Sequence, residues 1–152
     1  MTLYFAYGAN MERAAMRKRC GGATPLGPAV LRGWRYVIAN GYGSVVPTAG
    51  ARVCGVLWRL TPRDLAALNI FESIDSGLYR RAILSVEIGR QRARALVYLA
   101  RNGGSRRAMP GYQERIVAAA EEWALPARYI AELRRLAPAY RGVRPAETGE
   151  IG

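Results

Sequence analysis

The hydrophobic and polar positions of this 152-residue chain change period several times, and each change predicts an element. Leu3-Tyr4-Phe5-Ala6-Tyr7 is an apolar and aromatic run that reads as a strand, stopped by the turn residues Gly8-Ala9-Asn10. Met11 to Cys20, rich in Ala, Arg and Met, suits a short helix closed by Gly21-Gly22, with Arg13, Arg17 and Lys18 as a solvated face. Pro25, Gly27 and Pro28 read as a loop, after which Ala29 to Ala39 alternates as a strand bent at Gly33. Asn40 to Ser44 is a turn cluster, and Val45-Val46 is a short strand ending at Pro47. Between Arg52 and Leu60 the phase of Cys54, Val56, Trp58 and Leu60 is wholly apolar, which predicts a strand with that one face in the core.

Thr61-Pro62-Arg63-Asp64 is a helix start with a mechanism: Thr61 as N-cap, Pro62 at the first helical position, Asp64 at the capping-box position. That helix should run to about Phe71, followed by a loop from Ser73 to Leu78. Tyr79 to Ile88 and Arg92 to Ala100 form a hairpin turning around Gly89-Arg90-Gln91. Gly111 to Ala124 and Pro126 to Leu136 carry apolar residues at helical spacing and are split by Leu125-Pro126, so two packed helices are expected. Beyond Pro138 the chain is polar, and its last residues, 141–152, read as an irregular, partly mobile tail after one domain over residues 1–140. Many short strands with helices grouped separately, no internal repeat and no linker give an α+β domain with a curled or closed sheet.

Composition narrows the chemistry more than the fold. No apolar run approaches the roughly 18 residues of a membrane span, and no signal-peptide pattern opens the chain, so a cytoplasmic protein without a membrane partner is expected. Cys20 and Cys54 belong to no CxxC pair and read as free thiols, with no metal site. The formal net charge of +12 is almost wholly arginine, Lys18 being the only lysine. The arginines are dispersed, without aromatic interleaving or a helix-turn-helix signature, so no nucleic-acid partner is expected. There is no histidine, which excludes a Ser-His-Asp or Cys-His relay. Proton transfer near neutral pH must then fall to another group, most commonly a carboxyl whose pKa is raised by burial.

The eleven acidic residues can be sorted by their surroundings. Glu114, Glu121, Glu122 and Glu132 fall among arginines on the terminal helices, and Glu147 and Glu150 in the tail. Asp64 is taken by capping, Glu12 by the first turn of its helix, and Glu87 by a strand where Arg90 and Arg92 can screen it. Asp75 suits a turn. Glu72 remains, at a helix end with aliphatic and aromatic neighbours and no adjacent arginine. Two readings stay open for it: a glutamate ending a helix in solvent, or a carboxyl in apolar surroundings able to accept and return a proton. The turn after the first strand is likewise either an ordinary loop or a concavity of backbone N–H groups, opened by positive φ, suited to a carboxylate or oxyanion.

Taken in order, Tyr4-Phe5-Ala6-Tyr7-Gly8-Ala9-Asn10-Met11, Phe71-Glu72-Ser73 with Ser76-Gly77-Leu78-Tyr79, Ala95-Leu96-Val97-Tyr98-Leu99 and Pro110-Gly111-Tyr112 resemble the gamma-glutamylcyclotransferase family, over nearly the whole chain from Leu3 to about Tyr140. The resemblance implies a small mixed β-barrel with flanking helices, and release of 5-oxoproline from gamma-glutamyl amines or peptides without a cofactor. It implies Glu72 as the proton carrier. The loop Tyr4, Phe5, Ala6, Tyr7, Gly8, Ala9 and Asn10 would cradle the glutamyl moiety, and Tyr79, Tyr98 and Tyr112 would be pocket tyrosines. Without the resemblance those three read more readily as half-buried packing residues with wet hydroxyls. Ala9 stands where the family usually has serine and Met11 where it has leucine; a loop working through backbone amides tolerates the first change, whereas one working through the hydroxyl does not.

The implied partner is a small gamma-glutamyl substrate, with a homodimer left open and the leaving amine unspecified. A rival of a different class is a module that binds a gamma-glutamyl or other acidic metabolite without cleaving it.

Overall fold

The computed structural model describes residues 1–72, 78–101 and 107–137. The expected loop from Ser73, the Asp75 turn and the tail 141–152 lie outside the described residues, Leu78 excepted. Five strands close a barrel in the order β1-β3-β2-β4-β5. They are β1 (Thr2–Ala6), β2 (Thr24–Ala39), β3 (Tyr42–Leu60), β4 (Tyr79–Ile88) and β5 (Gln91–Ala100). All neighbours pair antiparallel except β1 and β5, which close the barrel in parallel at Tyr4 and Leu96. The expected closed sheet and the β4–β5 hairpin are both present; the hairpin turns on Gly89-Arg90 alone, since Gln91 already pairs with Ile88.

The main departure is in the middle of the chain. Residues 25–28, expected as loop, are strand, and the short strand ending at Pro47 is continuous with the next through residue 60. Proline interrupts a ladder by removing a donor, but bulges accommodate it. Here the β2–β3 register shifts between Pro25 and Gly27 and again between Arg32 and Trp34, where Trp34 faces Pro47. Gly33, at the expected bend, has φ +83, a conformation that costs glycine nothing. The turn cluster shrinks to Asn40-Gly41, both at positive φ, joining Ala39 to Tyr42 as the two-residue turns of twisted hairpins do.

A second correction concerns β3, where residues 53–58 are buried on both faces rather than one. Helices cover the outer phase: Trp123 stands edge-on to Trp58 with ring centroids 6.1 Å apart, and Arg52 lies over the Tyr129 ring. These aromatics belong to α3 (Tyr112–Glu122, with Trp123 as its C-cap) and α4 (Ala127–Arg135). On the other phase Gly55 packs against Phe5, whose ring a Cβ there would meet at 2.8 Å.

The remaining helices are α1 (Arg13–Arg19), shorter than expected because Ala9–Met11 forms its own 3-10 turn, and α2 (Pro62–Phe71). The capping box of α2 is complete: Thr61 Oγ1 accepts from the Asp64 amide at 3.2 Å, and Asp64 Oδ2 accepts from the Thr61 amide at 2.9 Å. Asp64 Oδ1 also takes the Gly22 amide, tying the end of α1 to the start of α2. Arg13 is not simply solvated: its guanidinium lies 3.7 Å over Trp123 and pairs with Glu122. Glu12 pairs with Arg115 across to α3, and Glu87 pairs with Arg32 of the neighbouring strand rather than with the arginines beside it in sequence. Among the described residues no helix is long and apolar enough to cross a membrane.

Candidate active site

On β1, Tyr4 lies opposite Trp58 and so shares its helix-covered face; the strand ends at Ala6 and the 3-10 turn begins at Ala9, which brings Asn10 back to the Tyr4 hydroxyl. The turn lacks the positive φ expected of it: Gly8 lies at φ −126, and the bend is made by the amides of Met11 and Glu12 closing onto the carbonyls of Gly8 and Ala9. The concavity expected from positive φ is therefore not formed in that way; within so short a helix the leading amides find no intrahelical acceptor. Tyr4, Phe5, Ala6, Tyr7, Ala9 and Asn10 are all buried.

Glu72 is the C-cap of α2, its amide bonded to the Leu68 carbonyl at 2.8 Å. Its side chain is fully buried, so of the two readings left open the solvated helix end does not apply. Asn10 Nδ2 lies 3.1 Å from the Tyr4 hydroxyl and 3.5 Å from Glu72 Oε1, bringing together the two stretches that the sequence singles out. Phe71, next to Glu72, lies under the guanidinium of Arg19 at 3.9 Å, and Arg19 Nη1 donates to Asn10 Oδ1 at 2.5 Å.

Tyrosines complete the surroundings. Tyr4 and Tyr98 meet edge to face at 5.7 Å. Tyr7 donates to the Tyr98 carbonyl at 2.6 Å, Tyr98 to Asn69 Oδ1 at 2.7 Å, and Tyr79 to the Gly43 carbonyl at 2.9 Å. The Tyr112 hydroxyl accepts from the Gly43 amide at 3.0 Å. Burial first, and the Glu72 carboxylate after it, push the Tyr4 and Tyr98 hydroxyls above the ordinary tyrosine range. For Tyr7 and Tyr79 a neighbouring tyrosine stands between those two causes in size. Tyr112 is also raised chiefly by burial, and by Glu72 against the lowering effect of its Gly43 bond. All five hydroxyls therefore stay protonated near neutral pH, and the field of one carboxylate reaches every one of them.

The structure thus groups Tyr4, Tyr7, Asn10, Tyr79, Tyr98 and Tyr112 with Glu72. The Phe5 side chain points elsewhere, into the contact with Gly55, and Ala6 pairs with Val56 in the sheet. Sequence reasoning missed Arg19, Asn69 and Gln113. Gln113 is fully buried, accepts from Tyr36 at 2.9 Å and donates to the Leu133 carbonyl at 3.0 Å, so it braces the start of α3 beneath Tyr112. An uncharged glutamine on an amphipathic helix gives no signal of burial. Among the described residues no group of three or more His, Cys, Asp or Glu side chains could hold a metal ion.

A closed five-stranded mixed barrel with a carboxylate buried among tyrosines beneath flanking helices is a gamma-glutamylcyclotransferase-like architecture. A solved structure described as gamma-glutamyl cyclotransferase superposes with a TM-score of 0.87 at 24% identity, covering 96% of this chain and 94% of that one. Residues 4–125 match the family described as Gamma-glutamyl cyclotransferase, AIG2-like, and the chain belongs to that family. The human gamma-glutamylcyclotransferase is similar at 27% identity over 150 residues, 90% of this chain and 79% of the human protein. The mouse gamma-glutamylcyclotransferase is similar at 26% over 164 residues, 98% of this chain and 86% of the mouse protein.

Proposed function

We propose that this protein converts a gamma-glutamyl amine or peptide to 5-oxoproline and free amine, with Glu72 as general base and then general acid. The observation that supports the reading best is the buried Glu72 carboxyl, joined to the turn after β1 through Asn10 and ringed by protonated tyrosines. In such a substrate the α-amine can reach the γ-carbonyl carbon of its own molecule, so the enzyme need supply no nucleophile. Its work is to hold the chain folded and to carry protons from the α-nitrogen to the leaving nitrogen.

Glu72 takes a proton from the α-ammonium, and the freed nitrogen lone pair attacks the γ-carbon to close a five-membered ring. The carbonyl electron pair moves onto oxygen, where amides of the turn from Tyr7 to Asn10 and a tyrosine hydroxyl such as Tyr112 act as donors. When the oxyanion collapses, the bond to the leaving nitrogen breaks and Glu72 returns its proton to that nitrogen, while the ring nitrogen gives up its second extra proton to the departing amine, leaving a lactam N–H and an ammonium product. Tyr7, Tyr79 and Tyr98 already spend their own protons on protein acceptors. Their oxygens are left as acceptors, which suits them to the substrate ammonium before it is deprotonated.

The test is a screen of gamma-glutamyl amino acids, gamma-glutamyl polyamines and glutathione for the ring-closed product. Release of 5-oxoproline from at least one class is expected. Calorimetric binding without product by mass spectrometry would overturn the enzymatic reading in favour of a recognition module.

A further inference from the structure

The amide of Asn10 has two nearly isosteric ends, and which end faces Glu72 decides whether the carboxyl meets a donor or an acceptor. Arg19 can only donate, so its contact at 2.5 Å with Oδ1 forces Nδ2 toward Tyr4 and Glu72. The same guanidinium stacks on Phe71, the residue before Glu72. Arg19 therefore touches both segments that meet at the carboxyl: the turn after β1, through Asn10, and the end of α2, through Phe71.

We infer that Arg19 is a positioning residue for Glu72: it orients the Asn10 amide as a donor to the carboxylate and pins the end of α2 against the turn. The inference rests on the reading of Glu72 as proton carrier. Among the described residues, the groups facing Glu72 include Tyr4 on β1, Tyr7 just beyond it, Tyr79 on β4, Tyr98 on β5, Tyr112 on α3 and Arg19 at the end of α1. The five tyrosines are neutral at working pH, so among these groups Arg19 is the cation. Arg19 itself faces Tyr4, Glu72, Arg115 and Glu12; its half-burial lowers its pKa, and Tyr4 and Glu72 oppose that. A half-buried guanidinium loses hydration, and its contacts with Asn10 and Phe71 help offset the loss.

The test compares wild type, Arg19→Gln and Arg19→Lys in two readouts: the pH profile of 5-oxoproline release and the titration of the Glu72 carboxyl by carbon-13 NMR. Removing the cation and freeing the amide to flip should raise the apparent Glu72 pKa, and the acid limb of kcat/KM with it, by about 0.5–1 unit. Turnover should fall roughly tenfold with KM changed less than about twofold. Arg19→Lys should restore the acid limb while recovering only part of kcat, because a compact ammonium cannot both stack and reach Asn10. A folded Arg19→Gln whose Glu72 titration matches wild type overturns the inference. Should Arg19→Gln not fold, Asn10→Ala cuts the same relay, and an unmoved Glu72 titration there overturns it equally. If wild type releases no 5-oxoproline the functional reading fails, while the NMR titration still decides the role of Arg19.

Discussion

Asn10 and Glu72 are 62 residues apart in the chain, yet the amide of one reaches within 3.5 Å of the carboxyl of the other. At that distance the hydrogen bond is weak, and it can tighten when a substrate enters. The contact is available because β1 stops at Ala6 and α2 stops at Phe71, so two element ends converge on one buried point. Replacing Glu72 by Gln keeps the shape and the acceptor oxygen but removes the titrating group. Glu72→Gln should leave thermal unfolding near wild type and lower 5-oxoproline release by roughly 10²–10⁴. Full turnover in the variant would remove Glu72 from the mechanism.

Gly43 shows how closely the tyrosines are set. A Cβ there would fall 2.7 Å from the Tyr36 hydroxyl and 3.0 Å from that of Tyr112. Neither can step aside cheaply: Tyr36 is held by buried Gln113, and Tyr112 by the Gly43 amide itself. Gly43→Ala should cost about 1–3 kcal/mol in urea unfolding, as overpacked cores do, and should also displace Tyr112 and lower turnover. Wild-type stability in this variant would mean that the pair yields more easily than its hydrogen bonds imply.

These particulars also show what the sequence could and could not reveal. The alternation of Tyr79–Ile88 against Gln91–Ala100 and the Thr61–Asp64 cap are local signals, and they survive folding intact. The β2–β3 ribbon is legible only in pieces, residues 29–39, 45–46 and 52–60, because Pro25, Pro28 and Pro47 read as stops, whereas register shifts beside Pro25 and opposite Pro47 let the chain pair on. Glu72 could be reached by elimination, since no arginine is adjacent to it in sequence. Arg19 could not, because it follows Arg17 and Lys18 and differs from them only in what the fold brings beneath it. The grouping of tyrosines from β1, β4, β5 and α3 depends on barrel closure, which no local period encodes; the family resemblance supplied it.

The Asp64 cap should separate stability from chemistry. Its carboxylate takes the Thr61 and Gly22 amides, so Asp64→Ala loses a capping box and leaves a partly buried amide unmet. The expected cost is about 2–3 kcal/mol in urea unfolding, with Asp64→Asn recovering part of it. Because α2 presents Glu72 at its opposite end, turnover per folded molecule should stay within about twofold of wild type. A large loss of kcat without loss of stability would contradict that separation.

Alkaline pH should unfold this protein abruptly. Seven tyrosines, Tyr4, Tyr7, Tyr36, Tyr79, Tyr98, Tyr112 and Tyr129, have hydroxyls raised above the ordinary value of 10.0, each with burial as the largest cause. Below that value both native and unfolded chains hold these protons, and the stabilisation is fully present. As pH rises past it, the unfolded chain releases protons that the native one keeps, so stability falls and goes on falling until the folded pKa values are reached. Each group contributes up to about 1.4 kcal/mol per pH unit, and seven together approach about 10, comparable with the whole stability of a small domain. Tyrosinate absorbance from these groups and loss of circular dichroism should therefore rise together, within about one unit above pH 10. Gradual ionisation of all seven with the circular dichroism preserved would show that these hydroxyls are wet, and that the site is less enclosed than its burial indicates.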